Sequence, residues 1–295
     1  MMTAPTIPDL FKTIRRIQIS SVQLANDALA GAYRSAFRGK GMEFEDVREY
    51  QPGDEIRSID WNVTARMNHP YIKNFREERE LTVLLVVDVS ASSRFGSRDH
   101  AKATLIAEIG AIFAFSAIKN NDKVGLILFS DIVEKYVPPG KGVQHVLRII
   151  RELLAFQPKS KGTDLKGALS FLGKVQNRKG VCFLISDFLC PDFSHEAALI
   201  AQRHDLVAIC LTDPYESKFP AVNLVALTDL ETGKTALIDA SIAVQETFSQ
   251  TAKQRMQQNR HLFKKIGADF INIRTDQPYL VELHKFFKIR EKRRI

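Results

Sequence analysis

Apolar residues in this chain of 295 residues are distributed in two different ways, and the pattern changes near residue 80. Up to Glu80 the sequence is polar and holds few continuous apolar runs. From Leu81 onward, short runs of Val, Leu and Ile alternate with longer amphipathic stretches. Short apolar runs are typical of strands buried on both faces, and amphipathic stretches are typical of surface helices. The pattern therefore predicts a small N-terminal segment followed by a larger α/β domain.

The larger domain is predicted to alternate strands with helices. Strands are expected at residues 81–90, 124–130, 132–139, 181–186, 206–211 and 270–273, and helices at residues 98–119, 142–155, 164–175, 194–203, 241–265 and 279–287. The second and third strands are expected to be antiparallel, because the connection between them is too short for a crossover helix. A further hairpin is expected at residues 223–238, with its turn at residues 231–233. This alternation predicts an α/β fold with a doubly wound, mostly parallel sheet of the Rossmann type.

The N-terminal part is predicted to form a smaller mixed segment. Helices are expected at residues 8–18 and 22–32, followed by short strands and loops. The sequence Gln51-Pro52-Gly53-Asp54 has the residue chemistry of a tight turn. The predicted organisation is an N-terminal segment at residues 1–80, an α/β domain at residues 81–284 and a basic tail at residues 285–295.

The net charge of +8 is concentrated near one end of the chain. Residues 285–295 contain six basic residues and one acidic residue, so this tail supplies most of the positive excess. Such a distribution argues against a nucleic-acid-binding face spread over the whole domain, and no specific nucleic-acid partner is expected.

Other features indicate the compartment. No apolar stretch is long enough to cross a bilayer, and the first residues lack the apolar core of a secretory signal. Cys182, Cys190 and Cys210 are interpreted as small buried side chains in a reducing compartment rather than as a disulfide framework. These features predict a cytoplasmic protein without a membrane span.

Oxygen-bearing side chains stand at three places where predicted strands or loops end. The first strand runs into Asp88, Ser90 and Ser92, Thr163 lies just before a predicted helix, and Asp187 follows the strand at residues 181–186. In an open α/β sheet, ligand sites lie beyond the carboxyl ends of the strands. A hard cation such as Mg²⁺ prefers oxygen ligands and retains some waters, so these side chains predict a partial metal shell.

Each of these groups also has a purely structural interpretation. The Asp-x-Ser-x-Ser turn, and Thr163 or Asp164, could simply cap helices, because short hydroxyl and carboxyl side chains are favoured at helix N-termini. A strand-end aspartate likewise occurs in many α/β folds without a metal. The metal interpretation is preferred because the groups occur together, in the order and spacing of one known site.

The set Asp88, Ser90, Ser92, Thr163 and Asp187 resembles the complete metal-ion-dependent adhesion site of a von Willebrand factor A domain. The resemblance implies that the two serines and the threonine contact Mg²⁺, with Mn²⁺ as an alternative cation. It implies that the two aspartates supply charge and act directly or through water. It also implies that a carboxylate from a partner protein fills a remaining coordination position.

A second resemblance covers a larger part of the chain. The segment GMEFEDVREYQPGDEIRSIDW at residues 41–61, continuing through Ala65-Arg66, resembles the family catalogued as domain of unknown function 58. Three further motifs are similar to that family's pattern: LILFSD at residues 126–131, Thr212-Asp213-Pro214 with Glu216, and DLETG at residues 229–233. Members join such a segment to a von Willebrand factor A-like domain and resemble proteins encoded beside MoxR-type AAA+ ATPases. The resemblance therefore implies a partner class and a chaperone-like or complex-remodelling role.

The segment at residues 41–61 mixes acidic residues with Arg48 and Arg57, and Arg66 follows it. Because arginine pairs well with carboxylates, these side chains are expected to clamp the segment to the α/β domain. Trp61, the single tryptophan, is interpreted as an apolar anchor in that clamp, with contact to a partner protein as the alternative.

The sequence thus predicts a Mg²⁺-dependent protein-interaction module, not an enzyme, that works with a MoxR-type AAA+ ATPase or a client protein offering a carboxylate. The alternative is a phosphatase-like hydrolase with Asp88 as its nucleophile. That alternative lacks an acid two residues later, where Ser90 stands, and no His or Lys partner is evident. A third interpretation is that the five residues form a structural cap without a metal.

Overall fold

The computed structural model describes residues 42–77, 80–96, 102–218, 224–231 and 233–294, together with Tyr33, Ala36 and Phe37. The helices predicted at residues 8–18 and 22–32 lie outside the described residues. The described strands are β1 (Met42–Glu49), β2 (Tyr71–Glu77), β3 (Thr82–Asp88), β4 (Lys123–Phe129), β5 (Val133–Gly140), β6 (Val181–Ser186), β7 (Asp205–Thr212), β8 (Leu224–Thr228), β9 (Thr235–Asp239) and β10 (Asp269–Arg274). The described helices are α1 (Trp61–Met67), α2 (Lys102–Lys119), α3 (Val143–Ala155), α4 (Leu165–Val175), α5 (Ser194–Arg203), α6 (Ile242–Lys265) and α7 (Tyr279–Arg294). Short 3-10 turns are formed by Ile56–Ser58, Ala91–Arg94 and Pro214–Glu216.

Six strands form one sheet in the order β10-β7-β6-β3-β4-β5. β5 is antiparallel to β4, and every other neighbouring pair in this sheet is parallel. The chain runs from β3 to β5 toward one edge of the sheet, then returns to β6 and continues to β10 at the other edge. The strand order therefore reverses between β3 and β6, which is the topological switch point of a doubly wound fold. The predicted fold class and the antiparallel third strand are confirmed.

Strand β3 shows why the sheet is covered on both faces. Val83, Leu85 and Val87 belong to an apolar cluster on one face of the sheet, whereas Leu84 and Val86 belong to a second cluster on the other face. All five side chains are fully buried. Successive residues of a strand point to opposite faces, so a continuous apolar run requires apolar cover on both sides.

Helices on each face supply that cover. Buried residues of α2, α3 and α7 contribute to the cluster that contains Val83, and buried residues of α4, α5 and α6 contribute to the cluster that contains Leu84. Within α6 the predicted apolar face is only partly covered: Phe263 is its buried residue, and Val244 is exposed. No helix within the described residues is long and apolar enough to span a membrane.

Both ends of the described chain join the same core. The ring of Phe37 contacts the rings of Phe183 in β6 and Phe287 in α7. The guanidinium of Arg290 lies 4.3 Å from the centre of the Phe37 ring, and its Nε donates a hydrogen bond of 3.0 Å to the carbonyl oxygen of Ala36. Ala36 and Phe37 therefore pack with the α/β domain, although the sequence predicts them as part of the N-terminal segment.

Helix α7 is longer than predicted, because it runs to Arg294 instead of ending near residue 287. Its residues Phe286, Phe287 and Arg290 are buried, and Arg290 forms ion pairs with Asp205 and Asp269 at the starts of β7 and β10. The predicted boundary between the domain and a basic tail at residue 285 therefore falls inside a helix that packs on the sheet. The apolar rings and the paired arginine explain why this basic segment is folded.

The N-terminal segment contains the antiparallel pair β1–β2, with α1 between the two strands. The predicted turn is confirmed: the Asp54 N–H donates a hydrogen bond of 3.0 Å to the Gln51 carbonyl oxygen, and Gly53 adopts φ +110°. Such a positive φ favours glycine. Arg48 donates two hydrogen bonds of 2.8 Å to the Asp54 carboxylate, so this arginine binds within its own segment.

Helix α1 is not among the predicted elements. The side chain of Asp60 caps it by accepting hydrogen bonds from the backbone N–H groups of Asn62 and Val63. Trp61 is the first residue of this helix, and 67% of it is exposed. The interpretation of Trp61 as a packed anchor is therefore wrong, because most of the residue is exposed to solvent; contact with a partner stays a prediction.

The buried carboxyl of Asp122 leads to a prediction about pH. Asp122 is 2% exposed and accepts hydrogen bonds from the Leu81 N–H at 2.9 Å and from the Tyr33 hydroxyl at 3.3 Å. Burial raises its pKa to about 6, although the hydrogen bonds from Leu81 and Tyr33 act in the opposite direction. An aspartate in an unfolded chain has a pKa of about 3.9, so the folded state holds the proton more tightly. The contribution of Asp122 to the free energy of unfolding therefore falls as the pH rises from about 4 to about 6.

We expect Asp122→Asn to remove this dependence, because an amide stays neutral and can accept from Leu81 while donating to Tyr33. The difference in free energy of unfolding between the variant and the wild type should therefore shift in favour of the variant by about 1–2 kcal/mol as the pH rises from 4 to 7. This figure allows for solvent screening of the carboxyl. Urea unfolding at a series of pH values measures the difference. The exposed Asp192→Asn is the control, and stability curves of wild type and Asp122→Asn that run parallel with pH would contradict the prediction.

Candidate functional site

The predicted site lies at the switch point of the sheet. Strands β3 and β6 are parallel neighbours, with Val87 opposite Ile185, so their carboxyl ends stand side by side. Asp88 ends β3, and Asp187 directly follows β6. The Ser186 hydroxyl donates a hydrogen bond of 2.7 Å to Asp88 Oδ2, which joins the two strand ends. The topology therefore brings the two predicted aspartates to one rim.

The turn after β3 places two serine hydroxyls beside Asp88. The Ser90 N–H donates a hydrogen bond of 2.9 Å to Asp88 Oδ1, and the oxygens Oγ of Ser90 and Ser92 are 3.1 Å apart. In an octahedral Mg²⁺ shell with bonds of about 2.1 Å, neighbouring ligand oxygens are roughly 3.0 Å apart. The two hydroxyls therefore have the spacing of adjacent positions in such a shell.

The loop that carries Thr163 is joined to this turn by the backbone. The Ala91 N–H donates a hydrogen bond of 3.0 Å to the Lys161 carbonyl oxygen. Helix α4 is capped by Asp164, whose carboxylate accepts from the Gly167 N–H at 2.9 Å. The hydroxyl of Thr163 instead donates to Glu231 Oε1 at 2.9 Å. Of the two candidates for the helix cap, Thr163 and Asp164, it is therefore Asp164 that caps α4.

The side chain of Ser90 does not act as a helix cap either. Ser90 precedes the 3-10 turn Ala91–Arg94, but its side chain makes no capping hydrogen bond to that turn. The hydroxyl of Ser93 forms the local bond instead, donating to the Ser90 carbonyl oxygen at 2.7 Å. The hydroxyls of Ser90 and Ser92 are thus placed together without a role in capping the backbone.

Asp88 is a buried acid at the centre of this arrangement. It is 2% exposed, and burial raises its pKa to about 6, with the negative charge of Asp187 as the second cause. Hydrogen bonds from Ser186 and Ser90 act in the opposite direction. A carboxylate in such a place is stabilised by a nearby cation, because desolvation disfavours an uncompensated charge.

Lys102 is a site residue that the sequence analysis does not identify. It is 1% exposed; its Nζ donates a hydrogen bond of 3.0 Å to Asp187 Oδ2 and also forms an ion pair with Glu216. Burial alone would lower the pKa of Lys102, but the negative charges of Asp187 and Glu216 raise it above its ordinary value. Lys102 therefore remains charged and compensates part of the negative charge at the rim.

A sequence signal for Lys102 exists in α2. Leu105, Ile106 and Ile109 are buried on this helix at spacings of three, four and seven residues from Lys102. These spacings place Lys102 on the same buried face. A lysine on such a face requires a buried acidic partner, so the pattern indicates an ion pair without identifying the acid.

The described residues hold no group of three or more His, Cys, Asp or Glu side chains that could bind a metal by themselves. A cation at this rim would therefore need hydroxyl ligands, which Ser90, Ser92 and Thr163 can supply. The cysteines are free, and burial raises the pKa of each thiol, to about 12 for Cys190. Neutral thiols are poor ligands and nucleophiles, so the candidate ligands at this rim are hydroxyl and carboxylate oxygens.

Comparison with known proteins identifies relatives over most of the chain. Residues 46–258 match the family model described as "Protein of unknown function DUF58". "Uncharacterized protein Rv1480" from Mycobacterium tuberculosis is 30% identical over 288 residues, which cover 97% of this chain and 91% of that protein. "Uncharacterized protein YeaD" from Bacillus subtilis is 27% identical over 154 residues, which cover 52% of this chain and 36% of that protein.

The solved structures similar to this chain include a BatB protein and a VWA domain. "Conserved hypothetical protein BatB" from Bacteroides thetaiotaomicron has a TM-score of 0.45 and 13% identity, covering 72% of this chain and 99% of that chain. "The SpRpn10 VWA domain" has a TM-score of 0.38 and 10% identity, covering 69% of this chain and 93% of that chain. The fold assignment itself comes from the strand order and the two covered faces of the sheet.

The ion-paired cluster around Lys102 generates a prediction about stability. We expect Lys102→Met to lower the free energy of unfolding by about 3–5 kcal/mol, because it leaves Asp187 and Glu216 without their common cation. Urea unfolding at pH 7 measures the loss. The control Lys166→Met removes an exposed lysine whose ion pair with Glu196 spans 3.7 Å, and it should change stability by less than about 1 kcal/mol. Equal stability of the two variants would contradict the prediction.

Proposed function

Because this chain belongs to the DUF58 family of proteins of unknown function, its activity must be argued from its site, and we propose that it is a Mg²⁺-dependent protein-interaction module. The residues proposed to hold the cation are Asp88, Ser90, Ser92, Thr163 and Asp187. The observation that supports this most directly is the pair of serine hydroxyls, 3.1 Å apart beside a buried aspartate and not used as helix caps.

The charge of the cluster also supports a divalent cation. Asp187 and Glu216 share the positive charge of Lys102. Within the described residues, no basic side chain contacts Asp88, whose hydrogen bonds come from neutral donors. The Lys102 cluster and Asp88 together therefore carry about two uncompensated negative charges when their carboxyls are ionised. A divalent ion at this rim would neutralise them, and Mg²⁺ is a hard cation that accepts carboxylate, hydroxyl and water ligands.

A protein-interaction role follows from the coordination number of the cation. Mg²⁺ takes six oxygen ligands and commonly keeps several waters, so the side chains at the rim need not complete its shell. A carboxylate on another protein could replace one of these waters, and the bond would then depend on both the cation and the partner. The proposed partners are a MoxR-type AAA+ ATPase or a client protein with an exposed acid, acting in chaperone-like assembly or remodelling of complexes; this partner class rests on the family resemblance.

The residues at the site disfavour the alternative of a phosphatase-like hydrolase. A lysine does lie at the site, contrary to the expectation that no lysine partner is present, but two carboxylates bind its ammonium. Asp88 is buried, and both of its carboxylate oxygens accept hydrogen bonds, which is unfavourable for a nucleophile. The position two residues later holds Ser90 in place of an acid. The interaction module is therefore the preferred proposal.

The metal site leads to a direct binding test. We expect the wild-type protein to bind Mg²⁺, and Mn²⁺ as its substitute, in isothermal titration calorimetry. Asp88→Asn should weaken this binding at least tenfold, because it removes the buried negative charge while keeping the side-chain shape. The control Asp192→Asn removes an exposed carboxylate in the loop between β6 and α5, which accepts a hydrogen bond from the Ser194 N–H, and should leave the affinity unchanged. Equal affinity of wild type and Asp88→Asn would sink the metal-site proposal.

A further inference from the structure

The turn of the β8–β9 hairpin reaches the proposed metal site. Strands β8 and β9 form their own two-stranded sheet, and Glu231 lies in the connection between them. The hydroxyl Oγ1 of Thr163 donates a hydrogen bond of 2.9 Å to Glu231 Oε1, although the two residues are 68 positions apart. A half-buried acid from a separate element thus contacts one of the proposed ligands.

The turn itself holds Glu231 in place. The Glu231 N–H donates a hydrogen bond of 2.9 Å to Asp229 Oδ1, and the Gly233 N–H donates one of 2.7 Å to the Asp229 carbonyl oxygen. The Asp229 N–H in turn donates to the Lys234 carbonyl oxygen at 2.9 Å. Gly233 adopts φ +72°, a conformation that suits glycine and closes the turn. Hydrogen bonds within the turn therefore hold the backbone of Glu231 in place.

The distance in this hydrogen bond is compatible with two adjacent metal ligands. The distance of 2.9 Å between Thr163 Oγ1 and Glu231 Oε1 is close to the separation of neighbouring oxygens around Mg²⁺, as is the 3.1 Å between the oxygens of Ser90 and Ser92. A carboxylate is a stronger ligand for Mg²⁺ than a hydroxyl, because it carries charge. If Thr163 binds the cation, Glu231 is therefore within reach of the same ion.

The surroundings of Cys190 are a second indication that Glu231 lies close to the aspartates of the proposed metal site. Its thiol pKa is raised first by burial and then by the negative charges of Asp88, Asp187, Glu231 and Asp164. Four carboxylates, from β3, the loop after β6, the hairpin turn and the start of α4, therefore act on a single sulfur atom. Glu231 adds a negative charge to the rim that the five predicted ligands do not include.

We propose that Glu231 is an internal ligand of the metal site, and that its carboxylate occupies the coordination position which a partner's acid would otherwise take. This inference rests on the proposed Mg²⁺ site. The β8–β9 hairpin then acts as a gate, because a partner carboxylate must compete with Glu231 for the cation. The chain alone therefore binds an external acid weakly. The gate opens when the hairpin turn moves away from Thr163.

Mn²⁺ bound to the full chain provides the test, because the relaxation rate of water protons reports the number of waters on the ion. In Glu231→Gln, a water should replace the lost carboxylate, so the proton relaxivity of bound Mn²⁺ should rise by the contribution of one water. The affinity for Mn²⁺ should fall about tenfold. Sodium acetate should then lower the relaxivity of Glu231→Gln by displacing that water, and it should leave the wild type unchanged.

Two further variants separate ligation from charge. Glu231→Asp keeps the charge but shortens the side chain by one methylene, so it should also gain a water. Asp239→Asn removes an exposed carboxylate at the opposite end of the same hairpin, where Asp239 pairs with Leu224, and it should behave like the wild type. These expected results would support ligation by Glu231 itself over a general effect of hairpin charge.

The outcomes distinguish the two proposals. If the wild type and Asp88→Asn bind Mn²⁺ equally or not at all, both the metal site and the internal ligand are overturned. If the wild type binds Mn²⁺ through Asp88 but Glu231→Gln gains no water, only the internal ligand is overturned. A lower affinity without an added water would mean that Glu231 acts through Thr163 outside the coordination shell, and this result also overturns the inference.

Discussion

The parallel pairing of β3 with β6 positions both the sheet and the candidate site. It joins two strands at the point where the strand order reverses, so their carboxyl ends form one rim. Ser186 and Asp88, 98 residues apart, hydrogen-bond across that rim. Both strands are apolar and buried on both faces, which leaves little freedom for their register. The polar groups at their ends are therefore held by the hydrophobic core beneath them.

Charge at this rim is tolerated because it is shared. A lysine in the apolar face of α2 would be costly to bury alone, and so would the acids of Asp187 and Glu216. Together they form a compensated group, with Lys102 between the strand end and the short turn Pro214–Glu216. Asp88 lies beside this group without a basic contact in the part of the chain that the structure describes. The resulting excess of negative charge is the physical basis of the proposed preference for a divalent cation.

Two other regions show where the fold places its surfaces. Arg290 and Phe287 fix the C-terminal helix against the sheet and against Phe37, so basic residues near the end of the described chain serve packing. Trp61 shows the opposite case, because the single tryptophan of the chain stands exposed at the start of α1. Apolar side chains are thus divided between core and surface in a way that residue type alone does not indicate.

Local patterns in the sequence were enough to predict the α/β alternation and the antiparallel third strand. They also placed five oxygen-bearing residues at ends of elements: Asp88, Ser90, Ser92, Thr163 and Asp187. They could do so because strand and helix periodicities are local properties, and because ligand sites of open sheets lie at strand ends. The contact of Lys102 with Asp187 and Glu216, which lie 85 and 114 residues away, could be seen only in the folded chain. The same holds for the contact of Glu231 with Thr163, 68 residues apart, and for the burial of Phe287 in a helix longer than predicted. Such contacts depend on how distant elements pack, and a local pattern shows that a buried charge needs a partner without showing which residue provides it.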